Sequence, residues 1–187
     1  MDLQEKNRRW CRILLVDLKL DSEMEQTVAL LYATVADTYK RLKGLVKGVE
    51  IEELNYTGPT GDMNSIGQLL KHLAVVDLHW VYRFRGQPIP LEIKKRFGPL
   101  LDSYGKLPTI SKNTTFLELM RNYEAVQKLF CFECRNLSNK DINKVVVYEK
   151  DKKATIRWGI WHIADHSRYH QAHIALLRRY YKQHLEK

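Results

Sequence analysis

The segment from Thr155 to Lys182 constrains this chain more than any other. It contains no proline and a single glycine, Gly159, while Ile160, Ile163, Ile174, Leu176 and Leu177 give it apolar surface to bury, so it reads as one long helix. Four of the chain's seven histidines lie inside it. Residues three and four apart share a helix face, which puts His162, His166, His170 and His173 in one stripe. A buried face gains nothing from repeated imidazole, because each buried ring nitrogen needs a partner. Two histidines at i and i+4 can instead converge on a metal ion and make half a site. Core histidines satisfied by hydrogen bonds are the competing reading for any one pair. By spacing alone, His162 with His166 and His166 with His170 are equally good pairs. Ser167 follows His166, so the HExxH arrangement, with its general-base glutamate between two ligands, is absent.

The rest of the chain supplies partners for this helix. Ser22-Glu23-Met24-Glu25 has the form of a capping box, and Leu31, Val35, Tyr39 and Leu42 follow at helical spacing, predicting a helix from about Glu23 to Leu42. Gly44, Gly48 and Gly58-Pro59-Thr60-Gly61 mark its end and a connecting loop. A second box, Ser65-Ile66-Gly67-Gln68, opens a helix to about Phe84, whose inner face is Leu69, His72, Leu73, Val76, Trp80 and Phe84. His72 on that face is either a hydrogen-bonded core histidine or a third ligand, and His79 lies on nearly the same side. Pro88, Pro90, Pro99 and Pro108 forbid a continuous helix between Gly86 and Asn113. Leu91 to Phe97 is expected to form a short one, and a connection this long is expected to wall or cover a site.

Thr115-Phe116-Leu117-Glu118 is a third capping signature, predicting a helix to about Leu137. It carries Cys131-Phe132-Glu133-Cys134, read as two packed thiols, since no second pair and no preceding strand accompany them. Lys144 to Tyr148 reads as a strand, Glu149 to Lys153 as a turn, and Ala154 to Trp158 as the return, with Thr155 an N-cap for the histidine helix. Four amphipathic helices of similar length bury their apolar faces as a bundle, and bundle cores are where metal sites from facing helices are built. The expected fold is therefore all-α: an up-down four-helix bundle with a short β excursion before the last helix. It spans residues 21–187, with residues 1–20 as an N-terminal extension whose stretch Trp10 to Leu20 is either an added strand or a short helix.

Composition narrows the setting. The formal net charge of +9 is spread along the chain, with small groups at Arg8-Arg9, Lys94-Lys95-Arg96 and Lys152-Lys153. No nucleic-acid reader motif accompanies it, so a nucleic-acid partner is not expected. Three cysteines argue against a disulfide framework, and Ile13-Leu14-Leu15-Val16 is too short for a signal peptide or membrane span. A cytoplasmic protein with no membrane partner is the expectation.

Two segments carry a family resemblance. Ser65-Ile66-Gly67-Gln68-Leu69-Leu70-Lys71-His72-Leu73 resembles the start of the second helix in the DinB/YfiT-like superfamily of four-helix-bundle metalloproteins. His166-Ser167-Arg168-Tyr169-His170-Gln171-Ala172-His173-Ile174 is similar to that family's HxxxH segment, and closest to the HSRxHxAHI pattern of the YfiT-like subgroup. Arg83-Phe84 also resembles that subgroup. In element order the likeness runs from Met24 to Arg179.

The resemblance implies His72, His166 and His170 as the metal ligands and the catalytic centre. His162 and His173 then become pocket residues or supports of the ligands, and Asp165 is either a carboxylate able to accept a ligand's other ring N–H or an exposed helix residue. Three neutral imidazoles leave a coordination position open on a divalent ion, with zinc expected first, nickel second, and other transition metals compatible with imidazole. Across the superfamily the implied activities include S-transfer with small thiols such as bacillithiol or mycothiol, maleylpyruvate isomerisation and metal-dependent hydrolysis. The expectation here is a metal-dependent thiol S-transferase taking a small thiol and an electrophilic substrate, with Arg83, Arg168 and His173 as candidates to hold acidic groups of the thiol and structural salt bridges as their competing role. The alternatives are a hydrolase using activated water and a non-enzymatic stress-response binding protein. Members of the family often pair through helix faces, and Trp158, Trp161 and Tyr180 are candidates for a homodimer contact, with core packing the competing role for each.

Overall fold

The structure, a computed structural model, describes residues 15–186. Four long helices carry it: α1 (Gln26–Leu45), α3 (Ile66–Arg85), α5 (Phe116–Arg135) and α6 (Ile156–Leu185). Two short helices, α2 (Ile51–Asn55) and α4 (Leu91–Phe97), lie in the connections, and a 3-10 turn at Asp141–Asn143 precedes an antiparallel hairpin of β1 (Val145–Glu149) and β2 (Lys152–Thr155). The expected four-helix bundle with a β excursion is what the chain forms. α2 and the 3-10 turn were not foreseen. The predicted return strand Ala154–Trp158 is shorter and earlier, because Thr155 ends it by accepting a hydrogen bond from the Trp158 N–H at 3.2 Å and starting α6. Of the uncertain stretch Trp10–Leu20, residues 10–14 lie outside the described residues, and 15–20 form neither helix nor strand.

The three capping signatures fare differently. At α3 the box closes fully: Ser65 Oγ accepts from Gln68 N, and Ser65 N donates to Gln68 Oε1 at 3.0 Å. Gln68 Nε2 goes on to donate to the Leu107 carbonyl at 3.2 Å, fastening the proline-rich connection over the start of the helix. At α5, Thr115 accepts from Glu118 N, which is half of the motif. At α1 the predicted box does not form, and the helix begins at Gln26 with no side-chain cap. Its acidic residues are engaged elsewhere, with Glu25 Oε2 accepting from Asn139 N at 2.7 Å and Asp21 Oδ2 from Arg135 Nη2 at 3.0 Å. Those long-range bonds hold residues 21–25 against the C-terminal end of α5 and outcompete the local cap.

Around the bundle, α6 packs between α1 and α3, and α5 touches α3 and α1 on the other side. The long connections through α2 and through the hairpin therefore carry the chain across the bundle rather than to the nearest neighbour. Trp80 of α3 is fully buried and stacked on Tyr148 of β1, with centroids 5.3 Å apart, so the hairpin seals one end of the α3/α6 seam.

Gly159 is what lets α6 come this close. A Cβ there would meet Trp80 Cε3 and Cζ3 at 2.5 Å and Phe84 Cε1 at 3.0 Å. Alanine gains about 1 kcal/mol of helix propensity over glycine, but overpacking a rigid core costs about 1–3 kcal/mol, and a fully buried indole cannot swing away. Gly159→Ala is expected to destabilise the protein by ~1–2 kcal/mol in denaturant unfolding. A variant more stable than the parent would show that the helices are not in this contact.

Candidate metal centre

His72 comes from the second turn of α3, and His166 and His170 from adjacent turns of α6. The packing of α3 on α6 points their Nε2 atoms at one another, with His72 Nε2 3.2 Å from His166 Nε2 and His166 Nε2 3.0 Å from His170 Nε2. The three ligand atoms lie within 4.8 Å of one another, and they are the cluster of this kind found among the described residues. Ligand nitrogens held at about 2.0–2.1 Å by tetrahedral zinc stand about 3.3 Å apart, so this spacing fits a shared ion.

Hydrogen bonding among the rings does not account for the arrangement. Nε2 of His166 can exchange one proton with either neighbour, yet all three Nδ1 atoms are buried without a hydrogen-bond partner in the protein. Burial is the largest influence on each ring and lowers its pKa, to about 3 for His166 and about 4 for His170, with mutual repulsion among the imidazoles adding to it. His72 is lowered too, also by burial, while the Leu100 backbone carbonyl pushes the other way. Three neutral imidazoles with converging lone pairs form a donor set suited to a divalent transition metal. Leu100 belongs to the connection expected to wall the site, and that connection does reach His72.

The other candidates fall around this centre. His162 does not join it. It stacks face-on against Trp158, with centroids 4.7 Å apart and planes 9° apart, and its ring centroid is 5.5 Å from that of His166. Asp165 is exposed and acts electrostatically on His162, whose pKa burial lowers and Asp165 raises. Arg83 donates from Nη2 to the Tyr148 carbonyl at 2.9 Å and lies over the Trp80 ring, so its guanidinium anchors the hairpin. His173 is half-buried, with its ring 5.7 Å from His170 and 4.5 Å from Tyr169. Arg168 is exposed. His79 is half-buried and apart from the trio, its pKa lowered first by burial and then by Arg83 and Lys94. Cys134 is fully buried and Cys131 half-buried on α5, and neither belongs to the cluster.

A buried polar chain beneath the centre escaped sequence reasoning. Asp77 of α3 is fully buried and accepts from Gln127 Nε2 at 2.7 Å; Tyr123 hydrogen-bonds the same carboxyl, and Ser167 bonds Tyr123. Gln171 Nε2 donates both to Ser167 Oγ at 3.1 Å and to the Thr38 carbonyl at 3.0 Å. The chain thus ties α1, α3, α5 and α6 together on the face of α6 adjoining the ligands, since Ser167 and Gln171 each follow one of them by a single residue, about 100° around the helix. A polar residue facing the core in a helical pattern was the available signal.

The DinB superfamily model matches residues 34–174, a span that contains all three converging histidines. An uncharacterised protein of Bacillus subtilis (strain 168), YkkA, is 39% identical over 171 residues, covering 91% of this chain and 97% of its own. Among the described residues, no helix is long and apolar enough to cross a membrane.

Proposed function

This chain belongs to the DinB superfamily, and we propose that it is a metal-dependent thiol S-transferase, taking a small thiol such as bacillithiol and an electrophilic second substrate in the cytoplasm. The observation that carries the reading is the convergence of Nε2 of His72, His166 and His170, since three protein donors would leave a four-coordinate ion one position for a thiol. A divalent cation at that point, zinc by first expectation or nickel, supplies Lewis acidity that lowers the pKa of a thiol at neutral pH.

The protein's own contribution is to keep the three rings neutral. Their burial holds His166 and His170 far below the usual histidine range, so protons do not compete for the nitrogens near pH 7. Leu100, in the proline-rich connection, brings its backbone up to His72. His173 and Arg168, one helical turn or less from His170, are the groups proposed to hold acidic parts of the thiol. Arg83 acts at one remove, by fixing Tyr148 and the hairpin. The similarity of His166 to Ile174 to the YfiT-like segment favours thiol transfer over hydrolysis.

The test mixes metal-loaded protein with bacillithiol and a chromogenic electrophile. Acceleration that needs the thiol and disappears in His166→Ala supports the proposal. Turnover of ester or amide substrates without any thiol would replace it with hydrolysis, and no acceleration in either assay would remove both.

A further inference from the structure

Beside the candidate metal centre, the hairpin and the first turns of α6 border an open groove of about 690 Å³, whose lining includes Tyr148, Glu149, Lys152, Lys153, Trp158 and His162. Its wall is a continuous set of rings. Trp158 and His162 are parallel at 4.7 Å, and Tyr148 meets Trp158 edge-on at 5.0 Å and His162 at 5.6 Å. His162 is shared: it ends the groove and stands one helical turn before His166, with ring centroids 5.5 Å apart. A groove with this wall offers a flat ring offset-stacking or edge-to-face contact, which a saturated ring of equal size cannot match.

Charge selects among flat ligands. Glu149 is paired with Lys152 at 2.8 Å, which leaves Lys153 without an ion-pair partner among the described residues. The Arg83 guanidinium lies 5.5 Å from the Tyr148 centroid and 4.8 Å from that of Trp80, so the back of the aromatic wall already holds a cation. A cationic ligand would meet this positive field, and an anionic, electron-poor ring would be attracted by both the field and the electron-rich wall.

We infer that this groove is a binding site for planar, electron-poor aromatic or conjugated compounds that carry an acidic group. Binding is a property of the apo protein. The further role of the groove as the acceptor site for the electrophile rests on the thiol-transfer reading, and its place next to His166 is what suits it to that role.

The test is calorimetric titration of metal-free protein with 2,4-dinitrobenzoate, beside 1,3-dinitrobenzene and cyclohexanecarboxylate. The expected result is saturable binding of 2,4-dinitrobenzoate, about tenfold weaker binding of the uncharged ring, and none of the saturated acid at the same concentration. Trp158→Leu is expected to weaken binding at least tenfold. Lys153→Glu, on an exposed side chain that leaves the core untouched, is expected to weaken it several-fold and to reduce its salt dependence. Circular dichroism and thermal melts establish that both variants are folded. No saturable binding, equal binding of cyclohexanecarboxylate, or indifference to both substitutions would overturn the inference. Because no thiol or metal enters the titration, binding without S-transfer would sink the proposed activity alone, and S-transfer without binding would sink this site alone.

Discussion

Replacing His166 with alanine is expected to abolish stoichiometric metal binding, lowering affinity for zinc by more than about 100-fold, since loss of even an outer partner of a metal ligand costs about 10–100-fold. His166 is the central member of the trio, within 3.2 Å of His72 Nε2 and 3.0 Å of His170 Nε2. Without it, two nitrogens from different helices remain, which is half a tetrahedral site. The informative control is His162→Ala. Its spacing from His166 equals that of His170, but its ring is held against Trp158 and Tyr148 rather than turned toward His72. That variant is expected to keep metal within a few-fold of the parent. Metal content after dialysis, followed by competition against a chelator of known affinity, measures both. Retained metal in His166→Ala, or loss in His162→Ala as severe as in His166→Ala, would mean that the ion sits elsewhere in the histidine stripe.

This pair of variants also marks where sequence reasoning stops. Spacing along α6 finds the stripe, because three and four residues bring side chains onto one face whatever lies opposite. Choosing between His162 and His170 depends on what does lie opposite: Trp80 and Tyr148 claim His162, and His72 meets the others. The contacts with α3 cross more than 80 positions of chain and leave no mark in local periodicity. The family resemblance makes the same choice from the motif, and the three histidines it names are the ones whose ring nitrogens come together and could hold a metal. Capping was legible where it is local, as at Ser65 and Gln68, and misleading at Ser22, where Arg135 and Asn139 from a distant part of the chain take over the acidic side chains. The Asp77 chain was missed for a related reason: a polar residue on a core face can be read from the pattern, but its partners come from α5 and α6 and cannot. α2 was missed because five residues, ending where the Gly58 loop begins, show too little periodicity to distinguish a helical turn from a loop.

The metal-free protein is expected to lose stability steeply between pH 7 and pH 5. In the unfolded chain each imidazole takes up a proton near its ordinary pKa of 6.5, whereas in the folded protein burial and mutual repulsion hold His166 near 3 and His170 near 4. Below about pH 6.5 the unfolded state therefore binds more protons than the folded one, and the equilibrium shifts toward it as pH falls. The stabilisation of the neutral rings is whole above about pH 7 and declines until the folded-state values near 4 and 3 are reached. Over the two units from pH 7 to pH 5 the loss is at most about 2 kcal/mol per imidazole, and less to the extent that solvent reaches the half-buried rings. For a chain of this size His166 and His170 together correspond to roughly 10 °C in melting temperature. Thermal melts in the presence of chelator, at pH 7 and pH 5, measure the drop. Other histidines lowered by burial, His72, His79 and His162, contribute to the same acid limb, so the double variant His166→Ala, His170→Ala isolates the pair. Its melting temperature should fall distinctly less between the two pH values than that of the parent. Parallel acid limbs in the two proteins would show that these imidazoles titrate normally in the folded state, and so are not held in the closed, neutral cluster that ligation requires.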